Sequence, residues 1–458
     1  MAVVEELLRQ TADLAAEFLR QLPERPVGPP VDPAGLQAAL GGPLPDGPID
    51  PRQVITDMAA AADPGIVASA GPRYFGFVVG GSTPAALAAD WLTAVWDANA
   101  GMCVSAPAAA VIEDVAAGWV LDLLGLPSTA SVGFVTGATM ASFTCLAAAR
   151  HAVLAQSGWD AERDGLFGAP APRVVVGAER HVTIDVALRY LGLGSDRVLV
   201  AEVDQQGAML AGSLQALLEA GDGPAIVCAQ AGNVNTGAID PLAEVCEIAH
   251  RHGAWVHVDG AFGLWAATTP ALRPLLAGVS GADSWATDGH KWLNVPYDSG
   301  LAIVADPHAH AAAMGMTASY LVSASAEPDP YTWTPESSRR ARGIPIYAAL
   351  RSLGRAGVAE LVERCCALAN RFAVRLGAAD GVEVLNEVVL NQVLVRFADS
   401  DEATREVVAR VQADGTCWAG GTTWQGRGAM RISVSNWSTT EADVDRSADA
   451  ILRAFAAS

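Results

Sequence analysis

Three features of this 458-residue chain predict an α/β domain on a mostly parallel seven-stranded sheet, with a small C-terminal α/β domain and an N-terminal helical extension. Seven short apolar runs alternate with longer helical stretches, the pattern of strands joined by crossover helices. Half the residues are hydrophobic (51%) and only 17% are charged, enough apolar surface for a large core. Polar residues also gather at or just past the strand ends, where open α/β sheets receive their ligands. Thr136, His181, Thr236, Asp259 and Lys291 all hold such positions.

Taken in order, residues 1–62 form the extension. An amphipathic helix over Val3 to Leu22 is followed by a Pro/Gly-rich connector from Pro23 to Pro51 and a short helix to Ala62. This piece is too small to fold alone and is expected to pack on the main domain or on a partner subunit.

The large domain is expected over 63–345. Helices at Ala85 to Asn99 and Ala108 to Leu124 precede a strand at Val132 to Val135. Thr136-Gly137-Ala138-Thr139 then turns into a helix ending near Gln156. Further strands are read at Arg173 to Val176, Arg197 to Val203, Ala225 to Ala229, Trp255 to Asp259, Ser284 to Ala286 and Gly300 to Val304. Helices over Thr183 to Leu191, Ser213 to Glu219 and Leu242 to His252 separate several of them.

Met314 to Arg342, rich in Pro and Ser, reads as a long irregular loop of the kind that serves as a lid. The small domain, 346–458, carries a long helix (Val358 to Leu376), strands at Val393 to Arg396 and Met430 to Val434, and a helix over Ala403 to Ala413 between them.

Composition removes several classes of function. A formal charge of −21 argues against nucleic acid as a partner. Apolar runs such as Ala116 to Leu126 are interrupted by Asp122 and too short to span a bilayer, so no membrane partner is expected. The N-terminus opens with acid rather than a basic targeting segment, and seven scattered cysteines show no metal-ligand or disulfide spacing. A reducing cytoplasm and no metal are the expectations.

Lys291, in Thr287-Asp288-Gly289-His290-Lys291-Trp292, is the only lysine in the chain. Every other basic side chain apart from histidine is arginine, which stays charged at biological pH and cannot act as a nucleophilic amine. A single lysine beside a histidine is therefore a candidate for Schiff-base chemistry, against the alternative of a leftover surface residue. Asp259 ends an apolar strand, where a buried carboxylate needs a positive partner. A protonated pyridine nitrogen would be one, and a helix cap or structural ion pair is the other reading. The small residues at 136–139 offer backbone N–H groups to a phosphate, a weak signal alone. His181 could stack on a flat ring or simply cap a helix.

In this order, the pieces resemble the group II pyridoxal-phosphate-dependent amino-acid decarboxylases, which include the aromatic amino-acid, histidine, glutamate and diaminobutyrate enzymes. The likeness runs from about Pro64 through Ser435. Its most specific parts are Asp288-Gly289-His290-Lys291-Trp292 and Val256-His257-Val258-Asp259-Gly260-Ala261; Ala231 to Asp240 and Met430-Arg431-Ile432-Ser433 support it.

The resemblance implies a fold-type I architecture, pyridoxal 5′-phosphate as cofactor, and a homodimer with the mobile loop reaching across the interface. It implies that Lys291 holds the cofactor as a Schiff base, that Asp259 pairs with the pyridine nitrogen, and that His181 and Ala261 face the two sides of the ring. Thr236 would sit near the ring's 3-oxygen, and Ala138, Thr139 and His290 would bind phosphate. Tyr331, in Asp329-Pro330-Tyr331-Thr332-Trp333, would return a proton to the substrate's Cα.

The implied reaction is decarboxylation of an L-amino acid to its amine and CO₂. The same scaffold doing oxidative decarboxylation–deamination to an aldehyde, or transamination, is the alternative. Tyr74, Phe75, Phe77, Trp96 and Trp333 lie in stretches the family uses near substrate and lean toward an aromatic or apolar side chain. Two positions depart from the family pattern: Asp288-Gly289 replaces Asn-Pro, and Met140 stands where Glu is frequent. An acid at 288 would repel a phosphate unless it turns away or is paired.

Overall fold

The computed structural model describes residues 2–28, 32–316 and 328–457. These fall into two compact units: Gly80–Ala369 with Asn386–Gln392, and Met1–Val79 with Asn370–Leu385 and Val393–Ser458. The unit limits therefore lie elsewhere than at 62 and 345.

The first unit is built on a seven-stranded sheet. Its strands are β1 (Ser131–Val135), β2 (Arg173–Gly177), β3 (Leu199–Ala201), β4 (Ala225–Gln230), β5 (Trp255–Asp259), β6 (Ser284–Asp288) and β7 (Gly300–Val304), in spatial order β1-β7-β6-β5-β4-β2-β3. The pairs from β3 to β6 are all parallel, and β7 is antiparallel to both its neighbours. β1 thus runs with β6, and the carboxyl ends of β1, β2, β4, β5 and β6 share one edge. Most of these strands are buried along their whole length, as expected for a sheet covered on both faces.

The Ala138–Ala155 helix packs across this sheet, burying residues such as Leu146 and Val153 against Val176, Ile226 and Trp255. Its length and apolar composition would suit a membrane span, yet most of it is buried in this core. Three fully buried tryptophans, Trp265, Trp285 and Trp292, brace the β6 region. The Trp265 indole donates to the Asp288 carbonyl (3.0 Å) and the Trp285 indole to the Val279 carbonyl (2.9 Å).

The second unit joins the N-terminal helices to the C-terminal segment. Buried Arg73 donates to the carbonyls of Pro23 (2.5 Å) and Thr416 (2.7 Å) and pairs with Asp443 at 3.5 Å. Four strands, β8 (Val382–Val384), β9 (Gln392–Phe397), β10 (Gly420–Trp424) and β11 (Arg427–Ser433), form a sheet in the order β10-β11-β9-β8.

Several expectations need correction. The connector expected from Pro23 to Pro51 contains a helix, Pro33–Leu40, started by Asp32 accepting the Ala34 amide and by proline at its first turn. β8 and β10 are additional strands; β8 has only three residues and β10 opens on Gly420-Gly421, so neither has a readable apolar alternation. The long helix spans Gly343–Gly377, interrupted where Gly354 takes φ +63°. β6 runs two residues further than expected, which makes Asp288 its last member. Part of the irregular stretch from Met314 to Arg342, residues 317–327, lies outside the described residues.

Candidate active site

β5 delivers Asp259 to the shared carboxyl edge, 5% exposed. Its Oδ1 accepts the Ala261 amide at 3.2 Å, a turn that also places Ala261 beside it. Burial pushes this carboxyl above the usual carboxylate range, and the charges of His181 and Lys291 pull it back down. A carboxylate in that position favours a cation brought to it.

His181 reaches the same place from β2. It caps the Val182–Tyr190 helix, with Nδ1 2.8 Å from the Thr183 hydroxyl. Together with Arg180, Cys228, Gln230, Asp240 and Asp259 it lines a narrow recess. The loop after β4 ends at this recess, which Asp240 lines. Asn233 accepts the amides of Asn235 (2.8 Å) and Thr236 (3.2 Å) and donates to the Glu179 carbonyl (2.9 Å), tying the loop to the segment that carries His181. The fully buried Thr236 hydroxyl donates to the Gln206 carbonyl at 2.6 Å. Its proton is committed to the loop rather than aimed at the recess. Buried Asp240 accepts the amides of Met209 and Gln230, both at 2.7 Å, and burial pushes its carboxyl up to about 6.

β6 ends at Asp288, with Lys291 one turn beyond. Lys291 Nζ lies 2.9 Å from Asp288 Oδ2. Asp288 Oδ1 accepts the Ala138 amide at 2.6 Å and lies 3.5 Å from His290 Nε2. His290 accepts the Ser299 amide on Nδ1 (3.0 Å), which leaves the Nε2 proton facing Asp288, and its ring stacks on Tyr297 at 4.3 Å. Burial pulls this imidazole below its ordinary value, against the opposing charge of Asp288.

Would these residues suit pyridoxal phosphate? At the ring end they would, because a buried acid and an imidazole line one recess and the single amine lies near enough for its charge to act on that acid. At the phosphate end the Ala138–Ala155 helix presents its N-terminus, where the Thr139 and Met140 amides have no acceptor among the described residues. Gly137 keeps this turn open: a Cβ there would meet His290 Cε1 at 3.1 Å and Asp288 Oδ1 at 3.4 Å. The Ser299 hydroxyl, at the start of β7, is buried without a partner. The residues present fit the cofactor, with one anion, Asp288, already at the helix end.

The structure thus gathers Ala138, Thr139, His181, Asp259, Ala261, His290 and Lys291 along the edge where the strands end. Tyr331 lies on a helical turn at Pro330–Trp333, fastened by the Tyr331 amide to the Gly101 carbonyl (2.9 Å) and by Asp329 accepting the Cys103 amide (2.7 Å). Gly133 of edge strand β1 has no room for a side chain against the Trp333 carbonyl. Of the aromatic residues that leaned toward substrate, Tyr74 and Phe75 are buried on Trp418 and Phe372, whereas Phe77 and Trp96 are exposed.

Sequence reasoning placed Gly137 and Asn233 only within longer stretches, and gave Asp240 and Gly300 no role of their own. Asn233 could have been found as an Asx turn, the asparagine preceding Thr236-Gly237. Asp240 and Gly300 carry no such signal, since their importance comes from distant strands.

Residues 33–398 match the family described as "Pyridoxal-dependent decarboxylase conserved domain". Tryptophan decarboxylase 1 of Oryza sativa subsp. japonica is 28% identical, over 94% of this chain and 90% of its own length. 4-Hydroxyphenylacetaldehyde synthase of Rhodiola rosea is 25% identical, over 94% of this chain and 91% of its own. A crystal structure of Oryza sativa TDC with PLP and tryptamine superposes with a TM-score of 0.92 at 25% identity, covering 99% of this chain and 98% of that one.

Proposed function

The chain belongs to the pyridoxal-dependent decarboxylase family, and from that footing we propose that its substrate is an aromatic L-amino acid. It is a pyridoxal-phosphate-dependent amino-acid decarboxylase that releases CO₂ and the corresponding amine. The aromatic choice rests on relatives such as the rice tryptophan decarboxylase.

One observation carries the assignment of residues. Asp259 is buried at the end of β5 in a recess it shares with His181, and the chain's only lysine lies just past the end of the neighbouring strand β6. Bound here, pyridoxal phosphate supplies an aldehyde carbon for an amine and a pyridinium ring that draws electrons from the substrate's Cα. Lys291 provides the amine. Asp259 holds the proton on the ring nitrogen, the charge that burial makes it seek. His181 and Ala261 confine the ring from its two sides. The Ala138–Thr139 amides and His290 hold the phosphate. Thr236 acts through the loop it braces.

Tyr331 is the proton donor in this reading. Its backbone is fastened to Gly101, and the neighbouring Asp329 to Cys103, which holds the turn that carries it in a fixed place. One helix, Pro84–Trp96, also leaves Trp91, Leu92, Val95 and Trp96 exposed, as a homodimer contact would. Light scattering on active enzyme should give twice the chain mass. All seven cysteines are free, which supports a reducing, cytoplasmic setting.

The second reading, aldehyde formation with ammonia and peroxide, is favoured by the similarity to 4-hydroxyphenylacetaldehyde synthase. The deciding experiment measures CO₂ release from each common amino acid. Tryptophan, tyrosine or phenylalanine should lead; a preference for glutamate would refute the aromatic assignment.

A further inference from the structure

We propose that Asp288 is a resident anion that competes with the cofactor's phosphate for its seat and so sets how tightly this chain holds pyridoxal phosphate. The inference rests on the family reading above and concerns a residue to which that reading gives no role.

The place of this carboxylate is built into the fold. Asp288 is the last residue of β6, paired in register with Gly300 and only 2% exposed, so protein groups rather than water solvate most of its carboxylate. Its backbone is held on both sides: the amide donates to the Ala261 carbonyl (2.9 Å) and the carbonyl accepts the Trp265 indole (3.0 Å). Three groups then converge on the side chain, namely the Ala138 amide at 2.6 Å, Lys291 Nζ at 2.9 Å and His290 Nε2 at 3.5 Å. A helix N-terminus, a cation and an imidazole N–H are what a phosphate oxygen would also take.

Two linked effects follow. Without cofactor, Asp288 satisfies the first helix amide and keeps the lone lysine paired, which stabilises the empty chain. With cofactor, the phosphate must displace the carboxylate from the Ala138 amide or lie beside a like charge. A neutral amide at this position would impose neither cost. The chain therefore holds its cofactor less tightly than the rest of the cradle allows, and remains folded when unloaded.

The test uses full-length protein freed of cofactor, wild type and Asp288→Asn, titrated with pyridoxal phosphate and with pyridoxal, which lacks the phosphate. The readouts are the imine absorption band and the melting temperature. Asp288→Asn should bind pyridoxal phosphate at least about tenfold tighter, with pyridoxal changed far less. Unloaded, it should melt below wild type, and pyridoxal phosphate should raise its melting temperature more. If the unloaded variant does not stay folded, Asp288→Ser prepared with cofactor is compared by the rate at which the band decays on dilution; slower decay than wild type supports the competition. An affinity for pyridoxal phosphate no tighter than wild type overturns the proposal, as does an equal gain for pyridoxal. Failure of wild type to form the band at all, or its persistence in Lys291→Ala, overturns the family chemistry instead.

Discussion

Gly300 and Gly137 are in backbone contact: a Cβ added to Gly300 would lie 2.5 Å from the Gly137 Cα. Gly300 pairs with Val135 on one side and Asp288 on the other, so this contact fixes the helix N-terminus against the end of β6. The phosphate end of the site depends on that closeness.

Gly300→Ala tests it. The methyl group has only backbone to push against, so β1 and β7 must separate. We expect about 1–3 kcal/mol of lost stability, as for other overpacked cores, and weaker pyridoxal phosphate binding than pyridoxal binding. Unchanged melting together with unchanged cofactor affinity would show that the contact is slack.

Asp259→Asn keeps the shape and the Ala261 turn while removing the charge that holds a ring proton. Cofactor should remain bound, and CO₂ release should fall by several orders of magnitude, each power of ten being about 1.4 kcal/mol of barrier. Near-normal turnover would make this carboxylate structural.

Tyr331→Phe separates the two enzymatic readings. It keeps the ring but removes the donor, so amine formation should drop and, in air, some flux should divert to aldehyde, ammonia and peroxide. Amine and peroxide are assayed together under air and under nitrogen. Stoichiometric peroxide from wild type would establish the aldehyde reading, and amine at the wild-type rate from the variant would free Tyr331 of its role.

His257 gives the fold a pH dependence. It is buried in β5 between the hydroxyls of Ser284 (3.0 Å) and Ser142 (3.4 Å), and burial lowers its pKa from 6.5 to about 3. The folded state thus refuses a proton that the unfolded state accepts. The resulting stability is present above the unfolded value of 6.5 and is lost as pH falls toward about 3. The slope is about 1.4 kcal/mol per pH unit within that window. Urea midpoints at pH 8 and pH 5 should differ less in His257→Gln than in wild type, by the equivalent of about 2 kcal/mol. Parallel pH profiles would mean His257 titrates in the folded chain.

Much of the site was legible because the chemistry is local. Asp259 is marked by the apolar Trp255, Val256 and Val258 in its strand, and Lys291 by the absence of any other lysine. Asp288 was visible as a departure but not as a solution. Its partner Ala138 lies 150 residues away, and only the sheet order brings them together.

The sequence by itself determined the strand-and-helix alternation, the seven-stranded sheet and the residue types that gather at its carboxyl edge. Those follow from periodicity and from which side chains can ionise, properties each segment carries alone. Tertiary structure alone decided where the side chains past the strand ends point. It turned the Thr236 hydroxyl to Gln206, fastened Tyr331 beside Gly101 and closed the acid at 288 onto Lys291 and the helix end. Loop direction depends on hydrogen bonds between segments far apart in the chain, and no local pattern encodes them.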